Sequence, residues 1–388
     1  MKKIISVLSI SSILSACTVL GGGNPLLSQD WWQSATPQMV EKQIQKGADV
    51  KAKDDNGLTA LMYAAAHAKN AQIIGTLMKN GAIVEEKNSF GWTPLMIAAG
   101  GNDNPEITDS LIKNGARVSA KSEKGGTPLM AAARYAENSK VLDTLINNGA
   151  NVNDKTNDGL TPLMYAASNE NSAVTEVLIK HGANVNAKDK DGWTPLMYAA
   201  NNSNNPEVVK TLIKNHADVN VKDKNGNTPL MIAAGKAQNA EIVNMLIRNG
   251  ANVNAKDKNG WTPLLYAASN SNSEVIKSII QHTGGIKGNN SVREMSLMIA
   301  ASNENPEIAN ILLHQGANVN AKGPLGMTPL MAAAKYNKNP EIITILMKYG
   351  ADVKVKDSSG KTAFDYADEN YDIYHTEPYW RLNDKTYE

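Results

Sequence analysis

A four-residue phrase recurs along the chain at nearly constant spacing, and no other feature constrains the fold as tightly. Thr-Pro-Leu-Met begins at Thr93, Thr127, Thr161, Thr194, Thr228 and Thr328. Variants begin at Thr59, Thr262 and Met295, and a shortened form at Thr362 closes the series. Successive starts lie 34, 34, 34, 33, 34, 34, 33, 33 and 34 residues apart. A period of this length implies a linear array of small helical units, not the roughly two or three globular domains that such a length otherwise suggests.

The chemistry inside one period explains why it folds as a pair of helices. Thr sits in a capping position, and Pro follows at the first helical position, where its missing N–H is harmless. Paired alanines such as Ala98-Ala99, Ala199-Ala200 and Ala267-Ala268 let neighbouring backbones approach closely. A second cap is predicted at Asn70, Asn104, Asn138, Asn171, Asn205, Asn239, Asn272, Asn305 and Asn339. It lies ten residues after the phrase start in the 33-residue periods and eleven in the 34-residue ones, so the length variation falls in the turn between helices. The second helix is apolar at helical spacing, as at Val208, Val209, Leu212 and Ile213. Gly149, Gly182, Gly250 and Gly350 supply the left-handed residue that stops it. Helices this short are marginal alone and become stable by stacking on their neighbours.

With its Gly-Ala and Asn-Val-Asn-Ala-Lys-Asp-like segments, the period resembles the ankyrin repeat over roughly residues 30–388. The resemblance implies an all-α repeat solenoid with short β-hairpin loops. It divides the chain into a capping half-repeat (29–58), nine repeats (59–361) and a closing half-repeat (362–388). Trp31, Trp32, Tyr379 and Trp380 are expected to pack within these caps. Two departures stand out. Met replaces the histidine usual in the family phrase, which removes any titrating ladder. The segment Thr283 to Glu294 has lost the pattern, with Arg293 where a hairpin Gly belongs, and an irregular hairpin is expected there.

The N-terminus carries a different signal. Lys2 and Lys3 precede an apolar stretch, Ile4 to Leu14, too short to span a bilayer stably. It ends in Leu14-Ser15-Ala16-Cys17, which resembles the bacterial lipobox. That resemblance implies a signal peptide (1–16), a lipid-modified Cys17 and a flexible tether (17–28) holding the protein outside the cytoplasm. Acyl chains in the plural exceed the single-chain limit of marginal anchoring. Thr18, not being an aspartate, favours the outer membrane in a cell that has two.

Catalytic signatures are missing from the sequence. Cys17 is the one cysteine, so no CxxC site or internal disulfide exists. The six histidines show no paired-ligand spacing, and neither a P-loop nor a nucleophile elbow occurs. The near balance of 39 Lys and Arg against 38 Asp and Glu gives no global field for nucleic acid. An enzyme, a cofactor, a metal, a nucleic acid and a small-molecule substrate are accordingly not expected. A lysine recurs in each hairpin, at Lys53, Lys87, Lys121, Lys155, Lys188, Lys222, Lys256, Lys322 and Lys356. It reads either as repeat consensus or as a ladder facing an anionic envelope or cell-wall polymer.

A protein partner is the leading expectation, and the resemblance places it along the concave face of hairpin tips and first helices. Residues there that escape the structural demands of the repeat are candidates. Just before the phrase these are Trp92, Trp193 and Trp261; after the alanines they are Arg134, Tyr135, Lys335 and Tyr336. Trp, Tyr and Arg are the side chains that carry interface energy.

Overall fold

The computed structural model describes residues 24–387 except 170, 203–204, 237–239 and 283–289. They form helices in alternation, a first and a second per period, with no strand among the described residues. They gather into two compact units. One runs as far as Tyr198 and includes Lys214–Ala217; the other comprises Ala199–Ile213 and the chain from Asp218 onward.

Within each unit, first helices pack on first helices and second on second. In the N-terminal unit, Ala60–His67, Pro94–Gly101, Pro128–Tyr135 and Pro162–Ala166 follow one another as neighbours. In the C-terminal unit the succession is Pro229–Lys236, Pro263–Ala268, Asn290–Ala301, Pro329–Tyr336 and Ala363–Asp368. The paired alanines make this possible: Ala98, Ala99, Ala132, Ala133, Ala267 and Ala268 are fully buried. Second helices bury an aliphatic stripe, as with Val141, Leu142 and Leu145. Fully burying one such side chain contributes about 1.5–3 kcal/mol, and the face it needs belongs to the neighbouring repeat. The phrase methionines Met62, Met96, Met130, Met164, Met197, Met231 and Met331 are each buried, at most 3% exposed, while Met298 is half-buried. At Thr161, Thr228 and Thr328 the methionine sulfur accepts the cap's own N–H at 3.4 Å.

The capping chemistry follows the sequence closely. The hydroxyls of Thr59, Thr93, Thr127, Thr161, Thr228 and Thr328 accept the N–H three residues on, at 3.3–3.4 Å. Those of Thr194 and Thr262 are buried without a partner. Of the predicted asparagine caps, Asn239 lies outside the described residues. The side chains of Asn70, Asn104, Asn138, Asn171, Asn205, Asn272, Asn305 and Asn339 each accept the N–H two residues on, at 2.9–3.1 Å. Gly149, Gly182, Gly250 and Gly350 have φ of +84° to +93°, and His216 takes the same left-handed place at +64°.

The hairpins are tighter than strand pairs. Described hairpins close on a backbone bond such as Asp54 N–H to Leu58 O or Asp257 N–H to Trp261 O, both 3.0 Å. A turn bond lies inside it, from Gly57 N–H to Asp54 O at 2.9 Å and from Gly260 N–H to Asp257 O at 3.1 Å. Among the described residues, only Lys53 and Thr59 form an isolated bridge. So few residues separate the turn from the helix cap that no ladder can develop. Neighbouring tips touch: a Cβ on Gly125 would lie 2.9 Å from the backbone nitrogen of Asn157.

The sequence misjudged one segment. Residues 283–289 lie outside the described residues, but the expected irregular hairpin does not extend to Glu294. Asn290 to Glu294 belong to the helix Asn290–Ala301, which starts well before the phrase. Without a Thr cap at Met295 or a glycine at Arg293, nothing stops the helix from growing backward. Arg293 donates to Gly316 O of the next repeat at 2.9 Å.

At the ends of the stack, Trp32 is fully buried and its indole N–H donates to Leu26 O at 3.1 Å, with Trp31 edge-on against it. Tyr379 is buried and donates to Asp368 at 2.8 Å. Trp380 corrects the cap expectation. It stacks on His375 at 5.2 Å, yet stays 47% exposed because its ring lies outside the buried seam of Ile373, Tyr379 and Leu382. None of the described helices is long and apolar enough to cross a membrane. Cys17 lies outside the described residues.

Candidate functional site

The hairpin and the first helix are wired together by one acidic residue. Asp189 accepts the N–H groups of Asp191 and Trp193 at 2.8 Å on one oxygen and the hydroxyl of Tyr198 at 2.7 Å on the other. Asp257 does the same with Asn259, Trp261 and Tyr266. Burial and the carboxylate bond hold the Tyr198 and Tyr266 phenols well above the ordinary tyrosine value. Trp193 and Trp261 lie tilted against those same tyrosines, with ring centroids 5.1 and 5.3 Å apart. Both tryptophans are half-buried, as is Trp92, whose N–H is held by Asn88 at 2.9 Å. Each therefore covers its hairpin stem and also keeps part of its ring in solvent.

The residues after the alanines form a second arrangement, present once in each unit. Arg134 and Tyr135 end the helix Pro128–Tyr135, and Lys335 and Tyr336 end Pro329–Tyr336 at the equivalent positions. The guanidinium lies 5.4 Å from the Tyr135 ring centroid, and the Lys335 ammonium 5.0 Å from that of Tyr336. Lys335 also reaches the next repeat. Lys335 Nζ is 4.8 Å from the Tyr366 ring, and Arg134 acts electrostatically on Tyr165, whose phenol burial pushes up to about 12. Neither cation makes an ion pair with a carboxylate among the described residues; Glu369, near Lys335, is taken by Lys361 at 2.6 Å. Arg134 Nε and Tyr135 Oη are buried without a hydrogen-bond partner, while Tyr336 is 56% exposed.

Several recurring side chains serve the scaffold alone. The Nζ atoms of Lys87, Lys155 and Lys222 donate to Lys121 O, Lys188 O and Lys256 O at 2.8, 3.3 and 3.0 Å, and Lys53 pairs with Glu86 at 2.5 Å. In the Asn-Val-Asn phrases the first Asn closes its own turn. The second reaches forward, as Asn153 does to Gly182 O at 3.0 Å. His181 meets Asp143 at 3.4 Å, His282 Nδ1 lies 2.8 Å from Ser278 O, and His314 stands edge-on to Tyr349. Among the described residues, no three His, Cys, Asp or Glu gather as a metal site would require.

Sequence reasoning missed a ladder of asparagines just before the second cap. Asn102, Asn169, Asn303, Asn337 and Asn370 each donate to two carbonyls of the preceding repeat, Asn337 to Ala301 O at 2.9 Å and Asn303 O at 2.6 Å. The signal was present as an Asn-x-Asn spacing, as in Asn102-Asp103-Asn104 and Asn337-Lys338-Asn339.

Paired short helices, left-handed glycine stops and a hairpin leading into each first helix define a stacked helix-pair repeat protein. A family model described as ankyrin repeats (3 copies) matches residues 32–122, 65–156, 129–223, 196–292 and 297–375. The chain belongs to the ankyrin-repeat family. No curated protein matches it in sequence.

Proposed function

We propose that this chain is a lipid-anchored scaffold of the bacterial cell envelope, outside the cytoplasm, which holds a protein partner on its hairpin and first-helix face. One observation carries the partner half of this reading. Tyr336 is exposed and Trp193 and Trp261 are half-buried, at positions where other repeats manage with residues such as Asn or Gly. The anchor half rests on the Leu14–Cys17 motif at the end of its apolar stretch. No catalytic step is part of the reading. The rival, an anionic polymer lying along the hairpin lysines, is disfavoured because Lys53, Lys87, Lys155 and Lys222 already spend their ammonium groups within the stack.

Two experiments test the halves separately. Cys17→Ser should abolish labelling by a fatty-acid probe and move the protein from the detergent to the aqueous phase; unchanged labelling would end the anchor proposal. For the partner, crosslinking on intact cells identifies the captured protein, and Trp193→Ala and Trp261→Ala are then each measured against it. An interface tryptophan costs about 2 kcal/mol or more on truncation, roughly a thirtyfold loss of affinity. Capture that stays intact while melting falls would assign both rings to the scaffold and remove them from the interface.

A further inference from the structure

We infer that the paired basic and tyrosine residues ending two of the first helices, Arg134-Tyr135 and Lys335-Tyr336, are seats for carboxylate side chains of an acidic protein segment. The inference rests on the scaffold reading above and names the chemistry of its partner.

Three observations point the same way. The two seats share a cation with a tyrosine beside it at the end of a first helix, and in the C-terminal one the tyrosine of the following repeat also lies against the cation. In the C-terminal unit, Lys335 and Lys361 flank the Tyr366 ring at 4.8 and 5.2 Å. Repeat packing does not require this arrangement, since the equivalent positions elsewhere hold residues such as Gly100-Gly101 and Ser269-Asn270. Second, neither cation is ion-paired among the described residues. Lys361 holds Glu369 at 2.6 Å, and Lys335 feels that carboxylate only at longer range, beside the Tyr336 hydroxyl, while Arg134 lies against the Tyr135 ring. A ring face attracts a cation without neutralising it, so each group keeps its charge for an incoming anion. Third, both cations are within reach of solvent: Arg134 is half-buried, and Lys335 and Tyr336 are exposed. A carboxylate on the guanidinium would make the charge-assisted contact that the fork is shaped for.

An acidic protein segment fits better than a polyanion. Each unit carries one seat, and the hairpin lysines Lys155 and Lys222 are bonded to backbone carbonyls instead of standing free for a polyanion. Tyrosines beside each cation add contact area of the kind protein interfaces use.

The test uses the full chain and a labelled synthetic peptide of alternating Glu and Ala, beside its Gln counterpart and inorganic polyphosphate. The Glu peptide should bind and the Gln peptide should not. Arg134→Gln and Lys335→Gln should each weaken binding, and together by about tenfold or more, with unchanged melting; a hydrogen bond to a charged group is of that order. Arg134→Lys and Lys335→Arg should retain most of the affinity. Absence of Glu-peptide binding, or binding indifferent to both substitutions, overturns the inference. So does polyphosphate binding that shows the same dependence on the two residues. If crosslinking still captures a protein through this face in the double variant, the scaffold reading stands while the acidic-partner inference falls. If wild-type protein captures nothing there, the scaffold reading itself falls.

Discussion

Asn337→Ala should lower the stability of the C-terminal unit by about 3–5 kcal/mol, far more than a typical asparagine substitution, because it strands several polar groups at once. Asn337 is 1% exposed. Its amide donates to Ala301 O and Asn303 O and accepts the Asn339 N–H at 2.7 Å. Alanine would leave two carbonyls of the preceding repeat and the Asn339 N–H without this partner at a buried to part-buried seam. Asn339→Ala is the control. It removes an exposed cap and a weak 3.4 Å contact to Glu304 O, so about 1 kcal/mol is expected. Chemical denaturation followed by helical signal measures both. Equal losses would show that the buried ladder carries no special weight.

Deleting residues 362–388 should have the larger effect: loss of solubility together with loss of the C-terminal unit's cooperative melting. The segment covers two helices whose outer faces are apolar. Ala363–Asp368 lies on Pro329–Tyr336, and Glu377–Tyr387 lies on Glu341–Lys348. Ile373 and Leu382, both fully buried, alone contribute about 3–6 kcal/mol. An internal cut behaves differently. Removing one whole period inside the N-terminal unit, Thr93 through Gly126, rejoins surfaces of the same kind and should leave a shorter, soluble, helical protein. Size-exclusion chromatography and melting curves on the two deletions decide the matter. A harmless end deletion beside a ruinous internal one would refute the linear stack.

How much of this was legible depended on whether a residue acts within its own period or across to the next. Thr-Pro starts, glycine stops and asparagine caps act within three residues, and they stood in the sequence plainly. The Asn102 and Asn337 ladder acts over roughly one period, so a reading confined to one repeat saw only a polar turn. The seats at Arg134 and Lys335 were half legible. The basic residue and its tyrosine were singled out from the sequence, but the third member at Lys335, Tyr366, belongs to the following repeat and appears only when adjacent first helices are laid side by side. The hairpin bonds were expected to make short strands, and the closeness of the caps prevented it. At Asn290 to Glu294 a missing pattern was read as irregular structure, although the absence of a stop signal equally allows a helix to lengthen.

The buried phrase methionines give their repeats a chemical memory. Each thioether is sealed while its repeat stays closed, so an oxidant meets sulfur only during an opening event. The sulfoxide that forms is polar and bulkier, and the space between fully buried alanines and leucines cannot take it back. Oxidation thus converts a brief opening into a lasting one and marks the repeat in which it occurred. Where histidine would have made the stack answer to acidity, methionine makes it answer to oxidants, slowly, and only through repeats that have already opened.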